Sequence, residues 1–206
     1  MIKPIKFGYN EQTANSNSFQ VLEKENDTNN IQERALREFN DLASKLKEKE
    51  IDVTIIEDTS KPHTPDSIFP NNWISFHENN TMVLYPMLAE NRRRERRTDI
   101  ITHFLKEYQT VIDLSQQEEN SFFLEGTGSI VFDYENKIAY AAISPRTNKN
   151  LVYELCKQVN YTPIVFTALD STNAAIYHTN VLMCVGTTFA VLCAESIPNQ
   201  IEQHQI

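Results

Sequence analysis

The stretch SFFLEGTGSIVFDYENKIAYAAISPRTNKN, from Ser121 to Asn150, contains the pattern that decides the fold. Two β-rich runs, SIVFDY and KIAYAAI, lie on either side of a short polar turn. A helical pattern follows from about Asn148 to Val159, and the β-rich run TPIVF comes next. The order strand, strand, helix, strand predicts one supersecondary repeat of an α/β protein.

The same order of elements recurs on both sides of this stretch. Helical spacing runs from Ile31 to Lys49 and again from Asn91 to Tyr108, and IDVTII, WISF, TMVLY, TVIDL, NVLMCVG and FAVLC are typical of strands. The repeat length is about 55 residues, and repeats that cannot bury their own apolar faces pack around a common axis. About three repeats are complete and a helix begins near Pro198, so we expect the chain to be incomplete at its C-terminus.

The overall composition limits the class of protein. The formal net charge of −9 argues against nucleic-acid and acidic-membrane partners. The sequence has no run of eighteen apolar residues and no apolar leader behind Met1, which predicts a cytoplasmic protein. Nucleotide-binding loops of the GxGxxG or GxxxxGK[ST] type are missing, so we expect no cofactor. The composition does not indicate an oligomeric state.

The spacing of the cysteines and histidines does not favour a metal site. Cys156, Cys184 and Cys193 are odd in number and form no CxxC pair, which predicts buried thiols rather than disulfides or zinc ligands. Three of the histidines outside the YHTN segment lack metal-ligand spacing and nearby carboxylate or thiol partners. They are His63, His77 and His103.

Three polar segments fall at equivalent places in three repeats. They are PDSIFPNNW (Pro65–Trp73), FLEGTGS (Phe123–Ser129) and YHTN (Tyr177–Asn180). Each lies where a loop leads into a strand, so in a ring of repeats the three would converge on the axis. The sequence therefore predicts one site built from distant segments.

These segments carry a family resemblance. PDSIFPNNW resembles the PDSxF-x-[EN]-[DN] segment of the guanidino-group-modifying (pentein) superfamily, and its PNNW form is similar to the amidinotransferase-like citrulline-utilisation hydrolases. FLEGTGS resembles the L-[DE]-G-[GT]-[DG] segment, and YHTN the catalytic His-x-[DNK] segment. SPRTN, at 144–148, resembles the SxRTN segment of dimethylarginine dimethylaminohydrolases, and the opening MIKPIKFGYNEQTANSNSFQ is similar to the first strand and loop of the citrulline-utilisation group.

The resemblance implies a fold and an activity. The fold would be a pentein-type α/β propeller of ββαβ repeats, with about three to three and a half of its five repeats present in a single domain spanning 1–206. The activity would be a C–N hydrolase or amidinotransferase that acts on guanidino or ureido amino acids through a cysteine and a histidine. The partner would be this small-molecule substrate.

The resemblance also implies roles for particular residues. His178 would be the general acid and base, and Glu125 would accept hydrogen bonds from the substrate's terminal nitrogens. Arg146 would hold the substrate's α-carboxylate in a bidentate pair. The alternatives are a hydrogen-bonded core histidine, a turn carboxylate before a glycine, and a surface arginine next to a helix.

Further candidates would bind or orient the substrate. Asp66, Asn71 and Asn72 would orient its amino and carbonyl groups, although such residues beside prolines are also common in turns. Within NRRRERR (91–97), most arginines would lie on a solvated helix face, but Arg92 or its neighbour Arg93 would be available for a substrate carboxylate because cations oppose the dipole of a first helical turn.

Two departures from the family pattern affect the predicted activity. No segment matches the glycine-rich segment with the catalytic cysteine, and the three cysteines lie in a helix or in apolar strand runs, where a thiol is inert. Arginine-processing relatives place a second carboxylate near the positions of Gly128 and Asn180, which are uncharged here. A neutral ureido group such as that of citrulline would suit these residues better than a guanidinium ion.

Several functions remain open from the sequence. The first is an enzyme of the hydrolase or amidinotransferase type in which this chain alone is inactive. The second is a protein that binds an amino acid without turning it over. The third is a truncated gene product, in which an incomplete ring would expose strand edges and apolar faces. A metal enzyme is the least favoured.

Overall fold

Residues 1–14, 16–17, 20 and 28–206 are described in the computed structural model of the chain. The contacts divide the chain into a first unit, residues 1–70 with 89–97, and a second unit, residues 71–88 with 98–206. Part of the opening segment that resembles the citrulline-utilisation group, at positions 15, 18 and 19, lies outside the described residues. The prediction of a single domain over 1–206 stays a prediction.

Helices and strands alternate along the described residues, as predicted for a mixed α/β fold. The helices are α1 (Glu11–Ala14), α2 (Thr28–Glu48), α3 (Glu90–Arg93), α4 (Thr98–Phe104), α5 (Gly126–Ser129), α6 (Lys149–Val159) and α7 (Gln200–Gln203). The strands are β1 (Ile2–Lys3), β2 (Ile56–Glu57), β3 (Ile74–His77), β4 (Thr81–Leu84), β5 (Thr110–Asp113), β6 (Val131–Asp133), β7 (Ile138–Ala142), β8 (Thr162–Phe166), β9 (Met183–Val185) and β10 (Ala190–Leu192).

The second unit contains the predicted repeat twice in full. Strands β3 and β4 pair antiparallel, and β5 then pairs parallel to β4 after helix α4. In the same way β6 and β7 pair antiparallel, and β8 pairs parallel to β7 after α6. Strands β9 and β10 form a further antiparallel pair. These are separate small sheets, and the predicted propeller stays a prediction.

Helix α6 shows why this repeat folds. The side chain of Asn148 caps its N-terminus by accepting hydrogen bonds from the backbone N–H groups of Asn150 and Leu151. Its buried residues lie one, three and four positions apart, on the face that packs into the core between sheet and helix. Fully burying one such apolar side chain stabilises the fold by about 1.5 to 3 kcal/mol. The residues buried on this face are Leu151, Val152, Leu155 and Cys156.

The first unit is built on the long helix α2. Its observed bounds agree closely with the helical spacing from Ile31 to Lys49. Strands β1 and β2 pair parallel, with Ile2 opposite Ile56 and Lys3 opposite Glu57. The predicted strand IDVTII was too long, since 51–55 are not in a strand. Only Ile56 and Glu57 pair with β1.

The predicted single helix from Asn91 to Tyr108 is wrong, because α3 and α4 are separate. Helix α3 ends at a C-cap at Arg94, and α4 begins at Thr98 with Asp99 in its first turn. A threonine followed by an acidic residue is a helix start signal that the apolar spacing alone hides. Among the described residues, no helix has both the length and the apolar character needed to cross a membrane.

Candidate active site

Glu125 is the centre of a buried polar cluster in the second unit. It stands directly before α5, and its side chain is 0% exposed. Its Oε1 atom accepts a hydrogen bond of 3.2 Å from the backbone N–H of Leu88. Its Oε2 atom contacts two of the other predicted site residues, Arg146 and His178. Burying a carboxylate is costly unless it is paired and hydrogen-bonded, and both conditions are met here.

Arg146 provides the positive charge of this cluster. It lies in the turn between β7 and the Asn148 cap of α6, and its Nη1 atom donates to Glu125 Oε2 at 3.3 Å. Its guanidinium carbon lies 4.8 Å from the centroid of the Tyr177 ring, within range of a cation–π interaction. The charge of Arg146 is thus compensated by a carboxylate of the same unit, and its predicted contact with a substrate carboxylate stays a prediction.

His178 is the third member of the cluster. Its Nε2 atom lies 2.8 Å from Glu125 Oε2. Since a carboxylate only accepts hydrogen bonds, Nε2 carries the hydrogen, and a neutral imidazole then has its lone pair on Nδ1. A Cβ atom placed on Gly128 would lie 2.7 Å from Nδ1, so the glycine allows the imidazole ring to pack closely against the backbone of α5. The geometry suits a base oriented by a carboxylate.

The predicted asparagines lie at different distances from this cluster. Asn72 is buried, and its Nδ2 atom would lie 2.5 Å from a Cβ on Gly128. Asn71 Nδ2 donates to Thr127 Oγ1 at 3.2 Å, which joins it to the FLEGTGS segment. Asn180 is exposed, in the short 3₁₀ turn Thr179–Val181. Within the second unit the structure thus brings 71–72, 125 and 178 together, and their functional roles stay predictions.

Asp66 and Arg92 lie in the first unit and form a second polar cluster. Arg92 Nε and Nη2 each donate to the carboxylate of Glu95 at 2.9 Å, and Arg92 Nε lies 3.8 Å from Asp66 Oδ2. Asn10 Nδ2 donates to Asp66 Oδ2 at 2.6 Å. Asn91 Nδ2 donates to Asn10 Oδ1 at 2.7 Å.

Sequence reasoning missed Asn10 and Glu95. Asn10 could have been found as the residue that caps α1, since its Oδ1 accepts from the backbone N–H of Gln12 at 3.1 Å. Glu95 could have been found from its i, i+3 spacing to Arg92 within the arginine-rich run. Arg92 is buried and bidentate to Glu95, and its Nη2 atom donates to the backbone carbonyls of Asp66 and Phe69. Its predicted contact with a substrate carboxylate stays a prediction.

The chain matches a known protein family over almost its whole length. The family model described as N,N dimethylarginine dimethylhydrolase, eukaryotic, matches residues 3–206. The chain belongs to this family. The guanidino-group-modifying superfamily predicted from the sequence motifs is therefore confirmed. No curated protein sequence matches the chain significantly.

Solved structures support the same fold for this dimethylarginine dimethylhydrolase family member. The N-terminal domain of ArgZ bound to substrate, an arginine dihydrolase from the ornithine-ammonia cycle in cyanobacteria, is 20% identical over 82% of the chain, with a TM-score of 0.67. The ternary complex of AgrE with ornithine and NAD+ is 17% identical over 100% of the chain, with a TM-score of 0.73. A dimethylarginine dimethylaminohydrolase adduct with S-methyl-L-thiocitrulline is 20% identical over 69% of the chain, with a TM-score of 0.54.

The chain is shorter than these relatives. It spans 58% of the ArgZ domain, 28% of AgrE and 53% of the dimethylarginine dimethylaminohydrolase. Members of the family act on guanidino groups, and the relatives above are solved with small molecules bound.

The cysteines of this family member differ in exposure, which corrects the prediction that all three are buried. Cys156 is buried on the core-facing side of α6, and burial raises the pKa of its thiol to about 11. Cys184 and Cys193 are exposed. Side chains of a strand alternate between its two faces, so Cys184 points away from the face that buries Met183.

This difference in exposure leads to a first prediction. At pH 8, we expect Cys184 and Cys193 to react with a disulfide reagent such as dithionitrobenzoate within seconds to minutes, and Cys156 to react only after denaturant is added. The absorbance of the released thiolate would count the fast and slow thiols. Replacing Cys156 with serine should remove only the slow thiol. Three fast thiols in the native protein would contradict the buried position of Cys156.

Proposed function

We propose that the chain supplies substrate-binding and proton-transfer residues of a hydrolase that acts on the terminal C–N bond of an arginine- or citrulline-type amino acid. The observation that carries the proposal is the buried cluster of Glu125, Arg146 and His178, with the Nδ1 atom of the histidine beside Gly128. Membership of a guanidino-hydrolase family supports the reaction class.

In this proposal His178 moves the protons. It takes a proton from the water that attacks the terminal carbon, and it then gives that proton to the amine that leaves the same carbon. Glu125, 2.8 Å from Nε2, fixes the tautomer and stabilises the imidazolium that forms between these steps. General acid–base catalysis of this kind contributes about 10² to 10⁴ in rate. Nδ1 is the nitrogen that exchanges protons with the ligand.

The charges of the cluster favour a neutral ligand group. Glu125 is already paired with Arg146 at 3.3 Å, so the two buried charges compensate each other. A side chain at position 128 would meet Asn72 Nδ2 at 2.5 Å and the His178 ring at 2.7 Å, so the packing leaves no room for a carboxylate there. A buried guanidinium ion without a paired carboxylate is poorly stabilised. We therefore propose a neutral ureido group, as in citrulline, as the preferred ligand.

The proposal assigns no cysteine of this chain as the nucleophile. Cys156 belongs to the apolar core cluster of the second unit, and the raised pKa of its thiol keeps it protonated at neutral pH. This observation also favours the second candidate function, an amino-acid-binding protein without turnover. Both functions need the same ligand contacts, and they differ only in whether product forms.

Ligand binding by the 206-residue chain tests the proposal. We expect citrulline to bind at least about tenfold more tightly than arginine, a difference of about 1.4 kcal/mol. Isothermal titration calorimetry with each amino acid would measure this, and mass spectrometry of the same mixtures would detect any product. No binding of either ligand would contradict the proposed site, and tighter binding of arginine would contradict the ureido preference.

A matched pair of variants tests the charge argument. Asn72→Asp adds a carboxylate beside Gly128 with almost no change in shape, so arginine should bind more tightly relative to citrulline. Asn79→Asp adds the same charge to an exposed turn of the second unit and should leave the ratio of the two affinities unchanged. If product forms with either ligand and Cys184→Ala or Cys193→Ala abolishes it, a thiol of this chain is the nucleophile.

We extend the proposal to the architecture and setting of the protein. The two complete ββαβ repeats and the third antiparallel strand pair support an α/β propeller. In this proposal residues 1–206 belong to a single domain. The ligand is a small molecule, no cofactor takes part, and the cytoplasm is the proposed location. Small-angle scattering of the protein would test the single-domain proposal through its radius of gyration.

A further inference from the structure

Ser129 is a buried serine that the proposed reaction does not use. It is the last residue of α5, and it is 0% exposed. Its hydroxyl accepts a hydrogen bond of 2.9 Å from the backbone N–H of Glu125 and donates one of 2.9 Å to the backbone carbonyl of Arg146. One side chain thus joins the main chains of the two residues that form the buried ion pair.

Ser129 is also connected to the segment that carries the histidine. Its carbonyl oxygen accepts a hydrogen bond from the hydroxyl of Thr179, the residue after His178. The same hydroxyl of Thr179 accepts from the backbone N–H of Ala142 at 2.8 Å. Both Ser129 and Thr179 are fully buried, so water does not compete for these hydrogen bonds.

The hydrogen bonds of the Ser129 hydroxyl differ from those of an ordinary helix serine. A serine near the end of a helix commonly donates to the carbonyl four residues earlier. Ser129 instead donates to a carbonyl that is 17 residues away in the sequence, and it accepts from the N–H four residues earlier. Together with the direct hydrogen bond of 3.1 Å from the backbone N–H of Glu125 to the carbonyl of Arg146, these hydrogen bonds connect segments that are distant in the sequence.

We propose that Ser129 is a positioning residue that, together with Thr179, holds the Glu125 carboxylate against His178 and so fixes the imidazole in one tautomer. This inference rests on the proposed function, because His178 matters only if it transfers protons. Ser129 acts through Glu125 and touches no ligand atom itself.

Nitrogen NMR of the imidazole ring tests this positioning role. In the wild-type protein, Nε2 carries the hydrogen and Nδ1 does not, so the two ring nitrogens of His178 should give widely separated resonances above the pH at which the ring loses its second proton. In Ser129→Ala the two resonances should move towards each other, because the loosened Glu125 allows both tautomers. Thr179→Val, which keeps the shape and removes the other hydroxyl, should shift them in the same direction and carries the test if Ser129→Ala does not fold.

Ser75→Ala is the matched control. Ser75 is a buried serine of the same unit whose hydroxyl lies 2.7 Å from both His77 Nε2 and the Tyr85 hydroxyl. Its loss should leave the His178 resonances in place. Wild-type resonances in both Ser129→Ala and Thr179→Val would overturn the positioning role, and so would an equal shift in Ser75→Ala. The proposed function is tested separately, because it fails if the wild-type protein binds neither citrulline nor arginine, whatever the resonances show.

Discussion

Glu125→Gln should lower the free energy of unfolding by about 3 to 5 kcal/mol, the usual result of removing one partner of a buried ion pair. The side chain of Glu125 is 0% exposed, and that of Arg146, 3.3 Å away, is 3% exposed. The amide of glutamine has nearly the same shape but no charge, so the guanidinium of Arg146 stays buried without a compensating carboxylate. Urea denaturation followed by circular dichroism would measure the loss.

A double-mutant cycle separates this pair from general damage to the core. Arg146→Met alone should also destabilise the protein, because it leaves Glu125 buried with an uncompensated charge. The double variant should lose less than the sum of the two single variants, since it buries neither charge alone. Strict additivity would contradict a direct interaction between Glu125 and Arg146.

A surface ion pair provides the control for the same chemical change. Glu78 Oε1 lies 2.6 Å from Lys137 Nζ, and its side chain is 72% exposed. Water solvates both charges whether or not they are paired, so Glu78→Gln should leave the unfolding curve nearly unchanged. A comparable loss at both positions would mean that burial of Glu125 is not the cause.

The sequence predicted the second unit well because its signals are local and repeated. Helix α6 begins at the predicted position, since the Asn148 cap and the apolar spacing after it specify the same boundary. Glu125 and His178 lie in segments at equivalent places of successive repeats, whereas Arg146 was a candidate only through the resemblance of SPRTN. Spacing along the chain does not, however, show that Glu125 lies between the other two and is paired before any ligand binds.

The first unit was predicted less well because its polar contacts connect distant segments. Asn10 contacts Asp66 and Asn91, which are 56 and 81 residues away, and no local pattern indicates such pairings. The sequence predicts that Arg92 or Arg93 contacts a substrate carboxylate, within a run of mostly solvated arginines. The burial of Arg92 depends on Glu95, which lies one helical turn later and compensates its charge.

The exposure of single strand residues was equally hidden from the sequence. Cys184 lies in the apolar run NVLMCVG, which predicts a strand buried on both faces. The structure instead buries Met183 and exposes Cys184. An apolar run indicates that a strand forms, but which face is covered depends on what packs there, and this is a tertiary property.

Gly126→Ala should lower the free energy of unfolding by about 2 to 5 kcal/mol, through backbone strain and overpacking together. Gly126 has φ of +46°, a conformation that residues with a Cβ rarely adopt. The added Cβ would also lie well within 3.0 Å of the carbonyl oxygen of Asn71. Neither of these atoms belongs to a flexible side chain, so relief requires the backbone on one side to move. Urea denaturation would measure the loss.

Gly8→Ala is the control for this substitution, because a Cβ at position 8 would meet nothing within 4 Å. The same methyl group should change the stability there by no more than about 0.5 kcal/mol. The alanine at position 126 should also disturb the candidate active site, since Gly126 directly follows Glu125 and packs against the main chain of Asn71 and Asn72. Gly126→Ala should therefore weaken citrulline binding even in the fraction that stays folded, whereas Gly8→Ala should not. If both variants unfold at the same urea concentration as the wild type, the close approach between these two segments is wrong, and with it the position of Asn72 beside His178.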